Sequence, residues 1–199
     1  MEALLWSVVM RIVGGSRRGR RLKAPEGRAL RPTSERAREA LFNIIGHRDL
    51  AALPLKGARV IDLFAGTGAL GLEALSRGAV HLTAVESDGA ALACLRENIE
   101  ALDFKKKVRV IQGDATNLPT APEPCAYAFL DPPYRGGKAA PALASLGENG
   151  WLLEGAVVVA ETSAREKLTP PDGYEEIERR RYGAAEMVIL RFVASAAPE

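Results

Sequence analysis

The chain has 199 residues, with 27 Lys and Arg against 25 Asp and Glu, so its formal net charge is +2. Hydrophobic residues make up 47%, enough for the core of one globular domain and too many for a disordered protein. No apolar run reaches the roughly 18 residues of a membrane span. Cys94 and Cys125 lack metal-ligand spacing and predict neither a metal site nor a disulfide framework, so a cytoplasmic location is expected.

The charge is unevenly distributed along the chain. Between Arg11 and Arg38 there are ten basic and two acidic residues, a local charge of +8, and the remainder carries −6. A strongly basic end on a mildly acidic body indicates a polyanionic partner such as nucleic acid. A solvated arginine-rich face is the alternative explanation.

The basic segment divides into a hairpin and a helix. Arg11–Leu22 has two short β-prone ends around a turn rich in glycine and arginine. The following run predicts a helix that Thr33 or Ser34 can cap, with Glu35 in its first turn. We therefore expect an RNA-binding extension over residues 1–32, with a β-hairpin, and a main domain over residues 33–199.

The main domain alternates between strands and helices, which predicts βαβ units and a parallel sheet. The predicted strands are Arg59–Phe64, Leu82–Glu86, Val108–Gln112, Tyr127–Asp131 and Ala156–Glu161. The helices between them are Ala69–Ser76, Gly89–Leu102 and about Ala139–Leu146. Tyr174–Arg181 and Glu186–Val193 form an antiparallel hairpin at the end. The expected fold is α/β and Rossmann-like, with a mostly parallel seven-stranded sheet and helices on both faces.

A glycine loop follows the first predicted strand. Gly66-Thr-Gly-Ala-Leu-Gly71 matches the G-x-G-x-x-G fingerprint of nucleotide cofactors, and Glu86 ends the next strand, where ribose hydroxyls are expected. Asp62 would repel a pyrophosphate, and Asp114 after the third strand can accept from an adenine amino group. This acidic rim favours S-adenosylmethionine, a sulfonium without phosphate, over NAD. Alternatively, Asp62 caps the following turn and Asp114 is an ordinary loop residue.

The fourth strand leads into Asp131-Pro-Pro-Tyr134, which after such a glycine loop resembles the class I methyltransferases that modify exocyclic amino nitrogens. Such an amine is a poor nucleophile, because its lone pair is delocalised into the ring. The Asp131 carboxylate and the Pro132 carbonyl would hold its N–H groups, and Tyr134 can stack on an extruded base for about 1–3 kcal/mol. Positioning would supply most of the acceleration, with Asp131 as a late proton acceptor.

A closer resemblance covers nearly the whole chain. It is carried by Arg11–Gly15 with Arg18-Gly-Arg20, Leu30–Asn43, Asp62–Ala79 and Asp131–Tyr134. Together these segments are similar to the bacterial 16S rRNA guanine-N2 methyltransferases of the D type, which modify RNA of the small ribosomal subunit. The resemblance implies methyl transfer from S-adenosylmethionine to N2 of one guanine in 16S rRNA or in a small-subunit assembly intermediate. We separately expect a monomer and no metal.

The resemblance and the charge pattern together assign three sets of residues. The target guanine is assigned to Asp131, Pro132, Pro133 and Tyr134. The cofactor is assigned to Asp62, Phe64, Ala65, Gly66, Thr67, Gly68, Gly71, Glu86, Ser87, Asp114, Ala115, Thr33 and Arg36. The RNA is assigned to Arg11, Arg17, Arg18, Arg20, Arg21, Arg31 and Arg38. Arg36 and Arg38 are interchangeable here, because a methionine carboxylate and an RNA phosphate suit either guanidinium.

Three other functions fit parts of the pattern. A DNA or RNA adenine-N6 methyltransferase shares the Asp-Pro-Pro-Tyr loop, although sequence-specific DNA enzymes usually add a target-recognition domain. A NAD-binding Rossmann oxidoreductase shares the glycine loop. A non-catalytic RNA-binding module with a vestigial pocket would share the basic segment, and the intact Asp131–Tyr134 motif argues against it.

Overall fold

The computed structural model describes residues 10–25, 35–47, 50–133 and 136–193, except for the side chain of His47. The strands are β1 (Arg59–Leu63), β2 (His81–Glu86), β3 (Val108–Gln112), β4 (Cys125–Leu130), β5 (Leu152–Ser163), β6 (Tyr174–Tyr182) and β7 (Ala185–Phe192). The helices are α1 (Glu35–His47), α2 (Ala69–Ser76), α3 (Gly89–Ala101) and α4 (Ala139–Glu148), with short 3₁₀ turns at Gly15–Arg17 and Lys105–Lys107. The predicted caps of α1, Thr33 and Ser34, lie outside the described residues.

The strands form one seven-stranded sheet in the order β3-β2-β1-β4-β5-β7-β6. The first five strands in this order are parallel to one another, whereas β7 is antiparallel to β5 and β6 is antiparallel to β7. This confirms the predicted Rossmann-like sheet with its antiparallel C-terminal hairpin. The chain order reverses between β1 and β4, and ligands of such sheets bind in the crevice at the carboxyl ends of the strands flanking that point.

Each face of the sheet has its own hydrophobic core. α1, α2 and α3 cover one face, where Phe42 and Leu72 pack with Val60 of β1. α4 covers the other face, where Leu143 packs with Ile61. Successive residues of a strand point to opposite faces, so the consecutive apolar residues of β1 serve both cores. Fully burying each such side chain contributes about 1.5–3 kcal/mol.

The largest difference from the predicted elements is β5, expected over Ala156–Glu161 and found over Leu152–Ser163. Gly155, in the left-handed region at φ +73°, lies inside the strand. The pairing of β4 with β5 shifts register between Cys125 and Tyr127. A glycine in a left-handed conformation usually ends a strand pattern, and here it marks an irregularity that the strand passes through.

Residues 10–25, which we call the arm, form a narrow antiparallel hairpin. The N–H of Ile12 donates to the Arg20 carbonyl at 2.9 Å, and the N–H of Leu22 donates to the Met10 carbonyl at 2.8 Å. Only one isolated bridge, between Arg11 and Arg21, is present in place of the extended strands of a full hairpin. Met10, Ile12 and Leu22 belong to the same core as α1–α3. The arm is therefore packed into the main domain, and the predicted boundary at residue 32 lies outside the described residues.

The tip of the arm is pressed against the end of α2. A Cβ on Gly15 would lie 1.9 Å from the Ser76 carbonyl oxygen, and φ there is +76°, so only glycine fits. The Ser76 hydroxyl donates to the Gly14 carbonyl at 2.6 Å and accepts from the Arg17 N–H at 2.9 Å. This contact fixes where the arginine-rich turn lies on the body.

That position is far from the carboxyl ends of the strands. Arg17 Nε donates to the Leu102 carbonyl at 2.8 Å, and Arg20 Nη2 donates to the Ala101 carbonyl at 2.6 Å. α2 and α3 run antiparallel to the strands of their βαβ units, so their C-terminal ends lie where the strands begin. The arm tip is therefore at the opposite edge of the sheet from the glycine loop.

A buried ion network joins the arm to α1 and α2. The Glu73 side chain is fully buried and accepts from Arg77 Nε at 2.7 Å and from the Val13 N–H at 2.8 Å. Arg38 Nε lies 3.8 Å from the same carboxylate, and Arg38 Nη2 donates to the Arg11 carbonyl. Removing one partner of such a group leaves an uncompensated charge in the core.

We expect Glu73→Ala to lower the free energy of unfolding by about 3–5 kcal/mol, because Arg38 would lose its buried counter-charge. Glu100→Ala is the control, since Glu100 pairs with Lys105 where both side chains are about two-thirds exposed, and its loss should cost less than about 1 kcal/mol. Urea unfolding of both variants measures the difference. Equal, small losses would contradict a structural role for the network.

Candidate active site

The Asp62 carboxylate is the most deeply buried acidic group at the carboxyl edge of the sheet. Asp62 lies on β1 between its partners Ala84 of β2 and Phe129 of β4, and it is 2% exposed. Its Oδ2 accepts from the Gly71 N–H at 2.8 Å. Burial raises its pKa to about 7, with a smaller lowering from the Gly71 N–H and a further rise from the charge of Glu86. Near neutral pH this site therefore favours a cationic ligand.

The glycine loop after β1 is built from left-handed residues. Phe64 has φ +56°, Gly66 +55° and Gly68 +86°. A Cβ on Gly68 would lie 2.5 Å from Leu95 Cδ1, so internal packing requires that glycine, whereas a Cβ on Gly66 would meet only the Phe64 carbonyl, at 3.9 Å. The open side at Gly66 lets a ligand approach the backbone closely, and the left-handed Phe64 is an uncommon conformation found at functional sites.

A cavity of about 100 Å³, the first cavity, lies over this loop. Its lining brings together predicted residues from the glycine loop and from the target motif: Asp62, Phe64, Ala65, Gly66, Thr67 and Asp131, with Met10, Arg38, Ala69 and Leu70. Of the predicted glycines, Gly68 caps α2 and Gly71 lies in its first turn. Two carboxylates and one guanidinium thus border a small, otherwise largely apolar cavity.

Glu86 supports the loop from the end of β2. Its Oε2 accepts from the Gly66 N–H at 2.8 Å, and its Oε1 accepts from the N–H groups of Ser87 and Asp88 at 2.7 and 2.8 Å. Glu86 and Ser87 do not line the first cavity. Each carboxylate oxygen can accept more than one hydrogen bond, so Glu86 can hold the loop and still receive a hydroxyl.

The structure separates Asp114 and Ala115 from the first cavity. Asp114 is exposed, and its Oδ1 accepts from the Thr116 N–H at 3.0 Å and from the Thr116 hydroxyl at 2.9 Å. These bonds lower the pKa of Asp114, the backbone bond most. Ala115 is 2% exposed and packs in the core under α4. Asp114 has the local turn contacts of an ordinary loop residue, so its adenine contact stays a prediction.

Arg38, assigned to RNA by sequence, is 1% exposed and lines the first cavity. That burial corrects the RNA assignment, because a guanidinium inside the core cannot reach a phosphate of a large RNA. Burial lowers the pKa of Arg38, and Glu73 opposes this. Its Nε is buried with no hydrogen-bond partner in the described part of the chain. Arg36, assigned to the cofactor, is exposed, and Thr33 lies outside the described residues.

The target motif begins where β4 ends, beside the end of β1. The Asp131 N–H donates to the Leu63 carbonyl at 3.4 Å, which ties the two strand ends together. Pro132 is buried and Pro133 is exposed, whereas Tyr134 lies outside the described residues. We call Asp131–Pro133 the target loop. Its two prolines line a second cavity, of about 250 Å³, on the side of β5.

The exposed basic residues of the arm extend from its tip, at the opposite edge of the sheet, to the bridge between Arg11 and Arg21. Arg18 and Arg21 are exposed, and their side chains make no hydrogen bond or ion pair with another described residue. Arg11 is held by Glu35 at 2.9 Å, and Arg17 lies over the Phe104 ring at 5.4 Å. Arg31, the remaining arginine assigned to RNA, is outside the described residues.

Sequence reasoning missed a second basic cluster, the 3₁₀ turn Lys105–Lys107. The turn follows Phe104, on which Arg17 stacks, and precedes β3, so it lies at the same edge as the arm tip. The sequence does show three consecutive lysines, but a short charged run of this kind is usually a solvated loop and does not by itself predict a binding surface. Their proximity to the arm depends on tertiary packing. Among the described residues no cluster of His, Cys, Asp or Glu could hold a metal ion, and no helix could span a membrane.

Comparison with known proteins identifies relatives over most of the chain. Residues 10–191 match the model of the family described as Conserved hypothetical protein 95. The chain is 39% identical over 160 residues to the Ribosomal RNA small subunit methyltransferase D of Escherichia coli K12, covering 80% of this chain and 77% of that protein. The protein of the same name from Haemophilus influenzae is 32% identical over 179 residues, with coverages of 87% and 89%.

A solved structure has the same fold. A protein from Escherichia coli described as a methyltransferase superimposes with a TM-score of 0.79 at 34% sequence identity. The match covers 94% of this chain and 99% of that one. The shared fold therefore extends over nearly the full length of this chain.

The raised pKa of Asp62 predicts a pH dependence of stability. Between pH 4 and 7 the folded carboxyl holds a proton that the unfolded one has lost, so stability falls as pH rises, by at most about 1.4 kcal/mol per pH unit. Asp62→Asn keeps an acceptor for the Gly71 N–H and should remove this contribution. Urea unfolding of both proteins without ligand across this pH range measures it, and identical pH slopes would contradict the prediction.

Proposed function

We propose that this chain, which belongs to the Conserved hypothetical protein 95 family, methylates N2 of a guanine in 16S rRNA with S-adenosylmethionine. The proposal rests on one observation: the glycine loop after β1 and the target loop after β4 lie side by side at the ends of adjacent strands. Asp62 from the glycine-loop strand and Asp131 from the target loop border one cavity. A methyl donor and an acceptor amine bound by these motifs would be neighbours.

The residues around the first cavity fit S-adenosylmethionine. The buried Asp62 carboxylate suits a ligand with cationic groups and disfavours the pyrophosphate of NAD. Glu86, beside the loop, is suited to the ribose hydroxyls, and the open backbone at Gly66 allows close approach. When bound, S-adenosylmethionine supplies an electrophilic methyl group on a sulfonium.

Arg38 is the better candidate for the methionine carboxylate of the cofactor. Its guanidinium lines the first cavity, and its buried Nε has no hydrogen-bond partner in the described part of the chain. A buried donor without a partner is costly, and a charge-assisted bond to a carboxylate would remove that cost. Arg36, in contrast, is exposed.

The target loop would hold and orient the acceptor amine. The Asp131 carboxylate and the Pro132 carbonyl accept from its two N–H groups, which favours a tetrahedral nitrogen with its lone pair directed at the methyl group. After transfer the nitrogen carries an extra proton, and Asp131 accepts it. Most of the rate enhancement then comes from orientation, with Tyr134 stacked on the extruded base.

The RNA would reach well beyond the catalytic edge. Arg18 at the arm tip and the lysines of Lys105–Lys107 are exposed at the opposite edge of the sheet, and Arg21 is exposed on the arm between the two edges. A structured RNA spanning the α2–α3 side of the molecule would contact this basic surface while one base enters the site. A partner of that size agrees with 16S rRNA or a subunit assembly intermediate, with the protein acting as a monomer.

Asp131→Ala should abolish methyl transfer and leave S-adenosylmethionine binding within about threefold, because Asp131 is assigned to the amine. The protein is incubated with tritiated S-adenosylmethionine and small-subunit particles from a strain lacking this activity. The RNA is then digested to nucleosides, and the labelled nucleoside is identified. Wild type should yield N2-methylguanosine. Labelled N6-methyladenosine would contradict the proposed function, and retained activity in the variant would contradict the role of Asp131.

Replacing Arg18, Arg21, Lys106 and Lys107 with glutamine should weaken RNA binding and flatten its dependence on salt. Each lost phosphate contact should reduce the slope of log K against log salt by about 0.7–0.9, because fewer counterions are released. Arg180 and Arg181, exposed on the far edge strand β6, provide the control pair. This surface would be excluded from the interface if the salt slope of the four-residue variant did not change, or if the slope of the control variant changed by the same amount.

A further inference from the structure

The second cavity lies on the opposite side of the target loop from the first. In the sheet, β4 has β1 on one side and β5 on the other. The first cavity is bounded by the ends of β1 and β4, whereas the second is bounded by Pro132, Pro133, the start of α4 and the end of β5. The target loop, to which the acceptor amine is assigned, therefore separates the first cavity from a second cavity that the proposed cofactor contacts do not use.

Thr162 contributes an unsatisfied polar group to this second cavity. It lines the cavity and is 5% exposed, and its hydroxyl oxygen is buried with no hydrogen-bond partner in the described residues. Leu130 pairs with Ala160 in the parallel register, which puts Thr162 level with Pro132 on the neighbouring strand. A buried hydroxyl without a partner is unfavourable in the free protein, and a ligand with a matching polar atom would relieve it.

Glu166 contributes a carboxylate to the same cavity. A turn after β5, closed by the Glu166 N–H donating to the Ser163 carbonyl at 2.9 Å, brings it over the cavity. Its Oε1 lies near Gly137, where an added Cβ would be 3.7 Å away. Within the described residues this half-buried carboxylate has no hydrogen-bond or ion-pair partner. The cavity therefore offers a carboxylate and a buried unsatisfied hydroxyl beside the target loop, and its other polar lining residues are Lys138, Ser163, Lys167 and Thr169.

We propose that the second cavity receives the target guanine and that Glu166 accepts a hydrogen bond from its N1–H, with the Thr162 hydroxyl donating to O6. This inference rests on the proposed function. In guanine the N2 amine, N1–H and O6 follow one another along one edge, and neighbouring strands are about 4.8 Å apart, close to the width of that edge. With N2 at Pro132, the O6 end lies towards Thr162 on the next strand.

The same arrangement rejects adenine. Adenine has a bare acceptor at N1, which would face the Glu166 carboxylate, and it has an amino group where guanine has O6. Recognition of an extruded base through hydrogen bonds to this edge is how enzymes that act on bases select among them. Glu166 is thus a specificity-determining residue, separate from the residues that hold the amine.

The test uses RNA in which the guanine methylated by the wild type is replaced by 2-aminopurine. That base keeps the N2 amine but lacks both N1–H and O6. Wild type should prefer guanine by about 10–100-fold in kcat/KM, the range for one or two hydrogen bonds to a charged or buried group. Glu166→Gln should reduce this preference at least tenfold, because its amide can donate to the bare N1, and Thr162→Val should also reduce it.

Glu148→Gln makes the same chemical change on the exposed C-terminal end of α4 and should leave the preference unaltered. Glu166→Gln acting equally on both RNAs, or not at all, would overturn the inference while leaving the proposed function intact. The inference would also fail if the preference changed when the nucleotide next to the target was replaced but not when the target guanine itself was replaced. A wild-type chain that methylates no guanine would overturn both.

Discussion

The hydrogen bond from the Gly71 N–H to the buried Asp62 carboxylate is the contact on which the site depends. It fixes the start of α2 against the end of β1 and so sets the left-handed turn between them. A Cβ on Gly71 would lie 3.0 Å from Asp62 Oδ2 and 2.6 Å from Leu82, so the close packing of helix on strand requires glycine. The same bond leaves the Asp62 carboxylate buried away from water, in a site that favours a cation.

The arm completes this site as well as carrying basic charge. Met10 forms part of the wall of the first cavity, and the Thr67 hydroxyl donates to its sulfur at 3.7 Å. Arg38 links the arm to Glu73 and faces the same cavity. The buried network that stabilises the arm is therefore continuous with the proposed cofactor site. Contacts of RNA with the exposed arm tip would act on an element that is packed against the proposed cofactor site.

The sequence was sufficient for features that depend on local pattern. The order of strands and helices, the glycine loop and the buried Asp62 follow from periodicity and spacing along the chain. The burial of Arg38 and the position of the arm tip depend on packing between distant segments, because a charged side chain by itself predicts exposure. Thr162 and Glu166 belong to no motif, and only the parallel register of β4 with β5 brings them beside the target loop.

The central claim is that the cavity at Asp62 accepts a cationic adenosine ligand without phosphate. Equilibrium binding of labelled S-adenosylmethionine and labelled NAD to the same protein tests it most directly. Binding of S-adenosylmethionine should be saturable, and an excess of NAD should not displace it. Tight binding of NAD, or its displacement of S-adenosylmethionine at comparable concentration, would contradict it.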